Sequence, residues 1–527
     1  MRLAPRAETN DPSTLVETFV NTGPLFTLLS SRNHQILYGR RGTGKTHALY
    51  YLGEHARRDG DQVAYIDLRI IGSTGGLYND NSISLSQRAT RLLVDTLLAV
   101  SAEIYKEILR LERDDPSLLE PALQALGELD DAVTQVRVSG TVTQEAKATE
   151  SIDQSAGGSV KLTLSAKPAA TLSATEDSKT AQATENKRTE TGVEEYAVHF
   201  GTTSQALAKV LQALPGKRLW ILIDEWSVVP TELQPLLADF IRRSLLPTKG
   251  LVVKIAAIEQ RARFRVVRPE GDYLGIELGA DMSADIDFDD FMVFENNAGR
   301  AKAFFAELFL RHIRQLVRDE PGSPHAEITA LPNADHFVST AFTQHPAFDE
   351  LVRSAEGVPR DAINIASLAA QRAVTEKISI PHVRVAARKW YQRDKEGALA
   401  ENAEALRLLH WIHEEVIGKR RARACLVRQD IGRTDPLLRM LFDSRVVHVV
   451  KRGVSGGDVP GIRFDVYALD YGCYVELVTT KVAPTGLLFN NTEEELASDV
   501  PGDDYRSIRR AILDIEAFSK SPNRPKR

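Results

Sequence analysis

The chain has 527 residues, of which 43% are hydrophobic and 26% are charged, values typical of globular proteins. This composition excludes collagen-like and wholly disordered chains, and no stretch approaches the ~18 consecutive apolar residues of a transmembrane helix. The net charge of −6 excludes a chain that attracts polyanions through its overall charge, so contact with nucleic acid needs a local basic patch.

Two features predict a cytoplasmic protein with no membrane partner. The only cysteines are Cys425 and Cys473, too few for a disulfide framework or a cysteine-only zinc site. The first residues, MRLAPRAETNDPS, have no apolar core behind their basic residues, so we expect no secretory signal.

The first half of the chain alternates between strand and helix patterns, which is typical of a parallel α/β sheet. Strands are predicted over 34–38, 62–71, 218–223 and 251–258. Helices are predicted over 46–56, 85–111, 116–134, 203–214 and 231–245.

An insertion rich in Thr, Ser, Ala, Glu and Lys covers residues 136–195 and contains no aromatic residue. Its apolar content is too small to offset the entropy of ordering, which predicts a solvated and partly disordered segment. Short alternating stretches such as VKLTLSA instead favour a long β-hairpin that becomes ordered against a partner or a neighbouring subunit. The sequence leaves both interpretations open.

The second half is mainly helical and ends in a small mixed region. Helical patterns fill most of 297–396, and a further helix is predicted over 402–417. A strand at 424–427, a helix at 436–442 and two strands around the glycine-rich segment 453–461 follow.

A glycine-rich loop after the first strand predicts a nucleotide site. Gly39-Arg40-Arg41-Gly42-Thr43-Gly44-Lys45-Thr46 matches G-x-x-x-x-G-K-[ST], in which the backbone N–H groups and the following helix N-terminus face the phosphates. Lys45 is expected to reach the β- and γ-phosphates of ATP, and Thr46 to ligate Mg²⁺. The candidate cofactor-binding residues are Gly39, Arg40, Arg41, Gly42, Thr43, Gly44, Lys45, Thr46 and His47.

An acidic pair follows the buried strand 219–223. Asp224 and Glu225 stand at the carboxyl end of that strand, where open α/β sheets bind ligands. We expect Asp224 to hold the Mg²⁺ shell and Glu225 to act as the general base toward the attacking water. Two adjacent acids favour hydrolysis of a nucleoside triphosphate over a metabolic kinase.

With both halves of this site in place, the chain resembles the AAA+ ATPases, particularly the initiator type represented by the origin recognition complex, and it shares features with the STAND ATPases. The resemblance implies an α/β fold with a P-loop NTPase parallel sheet over 1–290, an all-helical lid over 291–400 and a winged helix over 401–485. A C-terminal helix and a flexible tail are expected over 486–527.

The resemblance also implies residue roles. Gly357-Val358-Pro359-Arg360 is similar to the sensor-2 signature, so Arg360 is expected to act in catalysis by contacting the γ-phosphate from a rigid helix start. Gln260 stands where the family carries its sensor-1 residue. Four arginines occupy the region of the arginine finger, although a solvated basic turn is an equal alternative: Arg261, Arg263, Arg265 and Arg268.

A local basic stretch predicts the partner. Residues 419–463 contain eleven Lys and Arg against four Asp, which favours salt-dependent contact with the phosphates of double-stranded DNA. The sequence therefore predicts an ATP-hydrolysing switch associated with DNA. The alternative is a STAND-like signalling or defence ATPase whose winged helix and insertion bind protein partners, and self-association is expected in either case.

Overall fold

The computed structural model describes residues 12–21, 23–71, 77–112, 116–134, 136–139, 193–196, 199–216, 218–269, 271–289, 297–319, 331–400, 402–420, 422–455, 461–479 and 512–520. The chain forms two compact units. The first, called here the lid unit, comprises Met1–Ser30, Tyr38–Tyr51 and Ile286–Arg527. The second, called the sheet unit, comprises Ser31–Leu37 and Leu52–Asp285.

The elements follow in chain order. The strands are β1 (Gln35–Tyr38), β2 (Gln62–Asp67), β3 (Val136–Ser139), β4 (Val193–Tyr196), β5 (Leu219–Asp224), β6 (Leu251–Ala257), β7 (Arg265–Val267), β8 (Tyr273–Gly275), β9 (Ser283–Asp287), β10 (Ala424–Arg428), β11 (Val447–Ser455) and β12 (Arg463–Leu469). The helices are α1 (Pro12–Thr18), α2 (Leu25–Leu29), α3 (Lys45–Arg58), α4 (Leu85–Glu112), α5 (Leu119–Val133), α6 (Phe200–Ala213), α7 (Gln234–Phe240), α8 (Ala298–Asp319), α9 (Ala334–Ala341), α10 (His345–Ser354), α11 (Pro359–Ala373), α12 (Ile380–Trp390), α13 (Gly397–Ala400), α14 (Ala403–Ile412), α15 (Gln429–Thr434), α16 (Pro436–Asp443), α17 (Tyr471–Thr479) and α18 (Ile515–Lys520).

A five-stranded sheet forms the core of the sheet unit, in the order β2-β5-β6-β1-β9. β5 is parallel to β2, with Asp67 opposite Asp224, and parallel to β6. Every residue of β5 and β6 is buried, as expected for central parallel strands with covered faces. The predicted α/β class with a parallel sheet is therefore confirmed.

Three helices of the sheet unit pack in series, and the first of them lies on the sheet. α4 packs on β2 and on α5, and α5 packs on α6. The two ends of the predicted insertion pair as antiparallel strands, with Val136 opposite Tyr196. Residues 140–192 lie outside the described residues, so both interpretations of the insertion stay predictions.

The lid unit contains the helices predicted beyond residue 297 and a three-stranded antiparallel sheet, β10-β12-β11. Local signals explain several helix starts: Asn333 caps α9 through its side chain, and Pro359 occupies the first turn of α11. The small sheet has its own apolar core, formed by Ala424, Leu426, Val450, Phe464, Val466 and Ala468. The predicted order of elements in this region is confirmed, with α15 and α17 added.

One predicted strand is shorter than expected. The sequence predicts a strand over 62–71, but β2 ends at Asp67, whose carboxylate accepts a hydrogen bond from the backbone N–H of Arg69. This local turn leaves Ile70 74% exposed, so the apolar run does not continue the strand. Among the described helices, none has the length and the apolar character needed to cross a bilayer.

Candidate functional site

The glycine-rich loop joins β1 to α3, and its conformation depends on glycine. Gly42 and Gly44 have φ of +86° and +93°, which side-chain-bearing residues rarely adopt. A Cβ atom at Gly42 would lie 3.0 Å from Cγ1 of Val358 and 3.1 Å from Cβ of Arg360. The loop therefore packs against the start of α11 so closely that even a Cβ atom at position 42 would require Val358 or Arg360 to shift.

Lys45 lies across the loop. Its Nζ donates to the carbonyl oxygens of Gly39 at 2.7 Å and Arg40 at 2.9 Å. The hydroxyl of Thr43 also donates to the Arg40 carbonyl, at 2.9 Å. Thr46 is half-buried and Arg41 is exposed. The loop thus holds a positive charge within a cradle of backbone groups, which is an arrangement that suits phosphate.

Arg40 departs from the expectation that loop N–H groups face the phosphates. Its backbone N–H donates to Oδ2 of Asp289 at 3.2 Å, and its Nε pairs with Oδ1 of the same carboxylate at 2.9 Å. Its Nη2 donates to the carbonyl of Glu356 at 2.5 Å. Only 3% of Arg40 is exposed, so its side chain fastens the loop to the rest of the lid unit.

Arg360 begins α11 beside the loop. Its backbone N–H donates to the carbonyl of Gly42 at 3.3 Å. Its side chain is 20% exposed, with Oδ1 of Asp361 4.0 Å from Nε. That Nε is buried and has no hydrogen-bond acceptor among the described residues. Burial, followed by the charge of the nearby Arg445, lowers the pKa of the Arg360 guanidinium.

These features test whether a nucleotide fits the residues present. A buried donor without an acceptor is costly, and a bound anion next to it removes that cost. The loop supplies two left-handed glycines and the Lys45 ammonium, and the start of α11 in the same unit supplies the Arg360 donor. The residues therefore fit a polyphosphate.

His47 has contacts of its own within the lid unit. Its Nε2 lies 2.5 Å from the carbonyl oxygen of Leu15, and its ring meets Phe19 edge-on at 5.4 Å between centroids. Burial lowers the pKa of His47 to about 4, so the ring is neutral and donates to Leu15. The structure gives His47 a role in anchoring α1 and Phe19, the residue that follows it, and its expected contact with the nucleotide stays a prediction.

The acidic pair closes β5 in the sheet unit. Asp224 is 1% exposed, and its carboxylate accepts from Tyr65 Oη and from the N–H of Glu225, both at 2.8 Å. Glu225 has φ of +57°, a left-handed conformation that is rare for a residue other than glycine. Its side chain is 20% exposed and lies 3.9 Å from Nη1 of Arg69. The two carboxylates thus have different surroundings, and their separate roles stay predictions.

A buried glutamine that the sequence did not single out supports this region. Gln234 accepts from Trp226 Nε1 at 3.2 Å and from the N–H of Arg263 at 2.6 Å. It donates to the carbonyls of Val229 at 2.8 Å and Arg261 at 3.0 Å. It therefore ties the segment after Glu225 to the turn after β6. Neither Gln234 nor Tyr65 carries a local motif that could have identified it.

The candidates for the sensor-1 residue and for the arginine finger lie around that turn. Gln260 is half-buried in the single turn Glu259–Arg261. Arg265 pairs with Glu277 at 2.6 Å, and Arg268 lies 3.6 Å from Asp272. These ion pairs agree with the solvated basic turn for the last two arginines.

The basic stretch 419–463 is less available than its charge predicts. Arg423 is 2% exposed and pairs with Glu356, and Arg445 is 9% exposed and pairs with Asp361 at 2.9 Å. Both side chains are therefore structural, and the prediction that the basic stretch contacts phosphate is wrong for these two residues. Lys419, Arg420, Lys451 and Arg463 are exposed. Within the described ranges, no three His, Cys, Asp or Glu side chains gather as a metal site.

The segment that contains the phosphate loop matches a known protein family. Residues 4–72 match a family model described as ORC-CDC6-like, which confirms the predicted resemblance to initiator-type AAA+ ATPases over that segment. The chain is similar to the Aeropyrum pernix ORC1 protein, solved in complex with DNA, at 13% identity over 88% of this chain and 93% of that one, with a TM-score of 0.27. None of the curated proteins matches the chain.

Proposed function

We propose that this chain, whose residues 4–72 match the ORC-CDC6-like family, is an AAA+ switch protein that binds ATP with Mg²⁺ and hydrolyses the ATP. The observation that carries the proposal is the buried Nε of Arg360, which lies beside the glycine-rich loop and has no acceptor within the described part of the chain. A phosphate oxygen is the acceptor that this donor and the neighbouring Lys45 favour.

The residues take the following roles in this proposal. The loop from Gly39 to Thr46 would hold the phosphates, and Lys45 and Arg360 would balance the negative charge that increases during bond cleavage. Thr46 and Asp224 would hold Mg²⁺. Glu225 would accept a proton from the attacking water. Bound ATP supplies the phosphoanhydride bond whose cleavage resets the switch.

Two substitutions test this proposal. Lys45→Ala is expected to abolish binding of ATP, measured by calorimetry with Mg²⁺. Glu225→Gln is expected to keep binding and to abolish release of phosphate, because the amide cannot accept the proton. Glu232→Gln is the matched control, since Glu232 is an exposed carboxylate of the same unit. Equal hydrolysis by the wild type and Glu225→Gln would refute the mechanism.

The domain assignment remains part of the proposal: a nucleotide-binding base over 1–290, a helical lid over 291–400, a winged helix over 401–485 and a C-terminal helix with a tail over 486–527. The helices α8 to α12 and the sheet β10-β12-β11 with its helices support the lid and the winged helix.

Association with double-stranded DNA through 419–463 is the proposed output. Because Arg423 and Arg445 are buried, the phosphate contacts would come from exposed residues such as Lys451 and Arg463. Lys451→Ala combined with Arg463→Ala is expected to weaken duplex binding and to reduce its salt dependence by about two ions. Arg318→Ala, a change of an exposed residue on α8, is the control.

A second candidate is supported by the burial of Arg423 and Arg445, because it commits part of the basic stretch to packing within the lid unit. In that case the chain is a STAND-like ATPase whose C-terminal region and insertion bind proteins or a second copy. Absence of duplex binding at low salt, together with ATP-dependent self-association by light scattering, would favour it.

A further inference from the structure

A continuous series of buried contacts joins the phosphate loop to the C-terminal sheet within the lid unit. Arg40 Nη2 donates to the carbonyl of Glu356 at 2.5 Å, and the Glu356 carboxylate accepts from Arg423 Nη1. Arg423 directly precedes β10, and its Nη1 also donates to the carbonyl of Leu469, the last residue of β12, at 3.1 Å. The side chains of Arg40, Glu356 and Arg423 are each at most 3% exposed.

A second series starts at Asp361, the neighbour of Arg360. Asp361 is fully buried and binds Lys395 Nζ and Arg445 Nη1, each at 2.9 Å. Lys395 continues to Asp470, just after β12, at 2.5 Å. Glu356 and Arg360 both form hydrogen bonds with the loop. Glu356 connects directly, and Arg360 through its neighbour Asp361, to residues that flank the C-terminal strands.

The backbone is strained at two of these connections. Glu356 and Arg445 have φ of +51° and +61°, although neither is a glycine. Such conformations cost about 1–3 kcal/mol each and persist only where the surrounding contacts determine them fully. The ion pairs of Glu356 with Arg423 and of Arg445 with Asp361 are those contacts.

We infer that Glu356 and Arg423 are positioning residues of the phosphate loop, that they act through Arg40, and that occupancy of the loop is thereby coupled to the C-terminal sheet β10-β12-β11. Buried charges cannot lose a partner without a large cost, so a displacement of Arg40 must be passed on along the series. Coupling between two sites is reciprocal, so a change at Arg423 must alter the affinity of the loop for its ligand. The ligand part of the inference rests on the proposed binding of ATP.

The experiment uses the full chain and removes both charges of the central pair, so that neither remains buried alone. The variant is Glu356→Gln with Arg423→Met, and Arg423→Lys is the milder alternative that keeps a charge beside Glu356. Calorimetry with Mg²⁺ and a non-hydrolysable ATP analogue measures affinity. Amide hydrogen exchange, with and without the analogue, measures protection of the loop and of β10.

The matched control is Glu350→Gln with Arg384→Met. Glu350 and Arg384 form an ion pair at 2.7 Å in which each side chain is 8% exposed. Glu350 also pairs with Arg353 and accepts a hydrogen bond from Tyr471, and both of these residues lie on helices of the lid unit and not on the loop. This control therefore reproduces the loss of a buried pair in the same unit.

We expect the Glu356/Arg423 variant to change the affinity for the analogue by about fivefold or more. We also expect faster exchange of loop amides without nucleotide and loss of the effect of the analogue on β10. The Arg423→Lys variant should change the affinity in the same direction by a smaller factor, and the control should leave the affinity and loop exchange as in the wild type.

Equal affinity and equal loop exchange in the variant, the control and the wild type would overturn the coupling and leave the proposed function intact. Absence of analogue binding by the wild type would refute the proposed function and the ligand part of this inference. Loop exchange without nucleotide would then still decide whether Glu356 and Arg423 position the loop.

Discussion

The backbone N–H of Arg360 donates to the carbonyl oxygen of Gly42, with 3.3 Å between nitrogen and oxygen. Because of this bond, the first turn of α11 lies directly on the phosphate loop, and the side chains of Val358 and Arg360 occupy the space beside Gly42. The loop and the helix start therefore behave as one packed structure in the lid unit, and changes on either side should affect both.

Replacing Gly42 with alanine tests this packing. The new Cβ would lie within 3.1 Å of Val358 and Arg360 atoms, in addition to the strain of a φ of +86°. The strain alone costs about 1–2 kcal/mol. We expect a fall in the apparent melting temperature, measured by circular dichroism, that exceeds the fall caused by strain alone.

Gly60→Ala is the control, because it introduces the same backbone strain without a close contact at the new Cβ. Gly60 has φ of +84°, and apart from its two chain neighbours no described residue has a heavy atom within 4 Å of the Cβ that the change would add. Equal destabilisation by Gly42→Ala and Gly60→Ala would contradict the close packing of α11 on the loop.

Arg360→Met tests two effects of the buried Arg360 donor, its effect on stability without nucleotide and its effect on binding of the ATP analogue. Methionine keeps most of the aliphatic packing and removes the Nε that has no acceptor, so stability without nucleotide should not fall. The rise in melting temperature caused by the ATP analogue should shrink, because that rise reports binding to the folded state.

Arg353→Met is the comparison, since Arg353 lies in the same unit and pairs with Glu350 at 3.4 Å. It should lower stability slightly and leave the effect of the analogue unchanged. An Arg360→Met protein that is stabilised by the analogue as much as the wild type would argue against Arg360 as a phosphate ligand.

The sequence predicts those parts of the fold and the site that depend on local pattern. Five apolar residues before Asp224 identify both the buried strand β5 and the acidic pair, because burial and position are encoded within one short segment. Arg423 shows the limit of such patterns. Its place in the basic stretch 419–463 predicts a surface residue, but its partner Glu356 lies 67 positions earlier in the chain, and only the tertiary fold brings the two together.

Gln234→Leu tests the support of Glu225 by a residue that only the fold reveals. The change removes the four hydrogen bonds of a fully buried side chain. The carbonyl of Arg261 and the backbone N–H of Arg263 then lose the bonds that Gln234 makes with them. Unsatisfied buried groups cost about 1–3 kcal/mol each, so stability should fall. Because Trp226 follows Glu225 directly, turnover of ATP should fall while affinity for the analogue remains.

Gln205→Leu, a change at an exposed position on α6, controls for loss of an amide in the same unit. Gln234→Glu keeps the acceptor toward Trp226 and Arg263 and should recover part of the turnover. A Gln234→Leu protein with wild-type turnover would exclude this supporting role.

His47 predicts a pH dependence of stability. Burial, the largest cause, and the nearby His312 lower its pKa from 6.5 to about 4, and the hydrogen bond to Leu15 opposes this only in part. Between those two pH values the unfolded chain binds a proton that the folded protein does not. The contribution of His47 is therefore complete above about pH 6.5 and is lost as the pH falls toward about 4, by up to about 3 kcal/mol.

Urea unfolding of the wild type and of His47→Gln measures this difference in stability. The measurement is repeated from about pH 7.5 to about pH 5 in steps of about half a unit, which follow the pKa values. The stability of the wild type relative to His47→Gln should decrease on acidification, whereas His55→Gln, a change of an exposed histidine on the same helix, should follow the wild type. Parallel curves for the wild type and His47→Gln would show that the ring is not held neutral by burial.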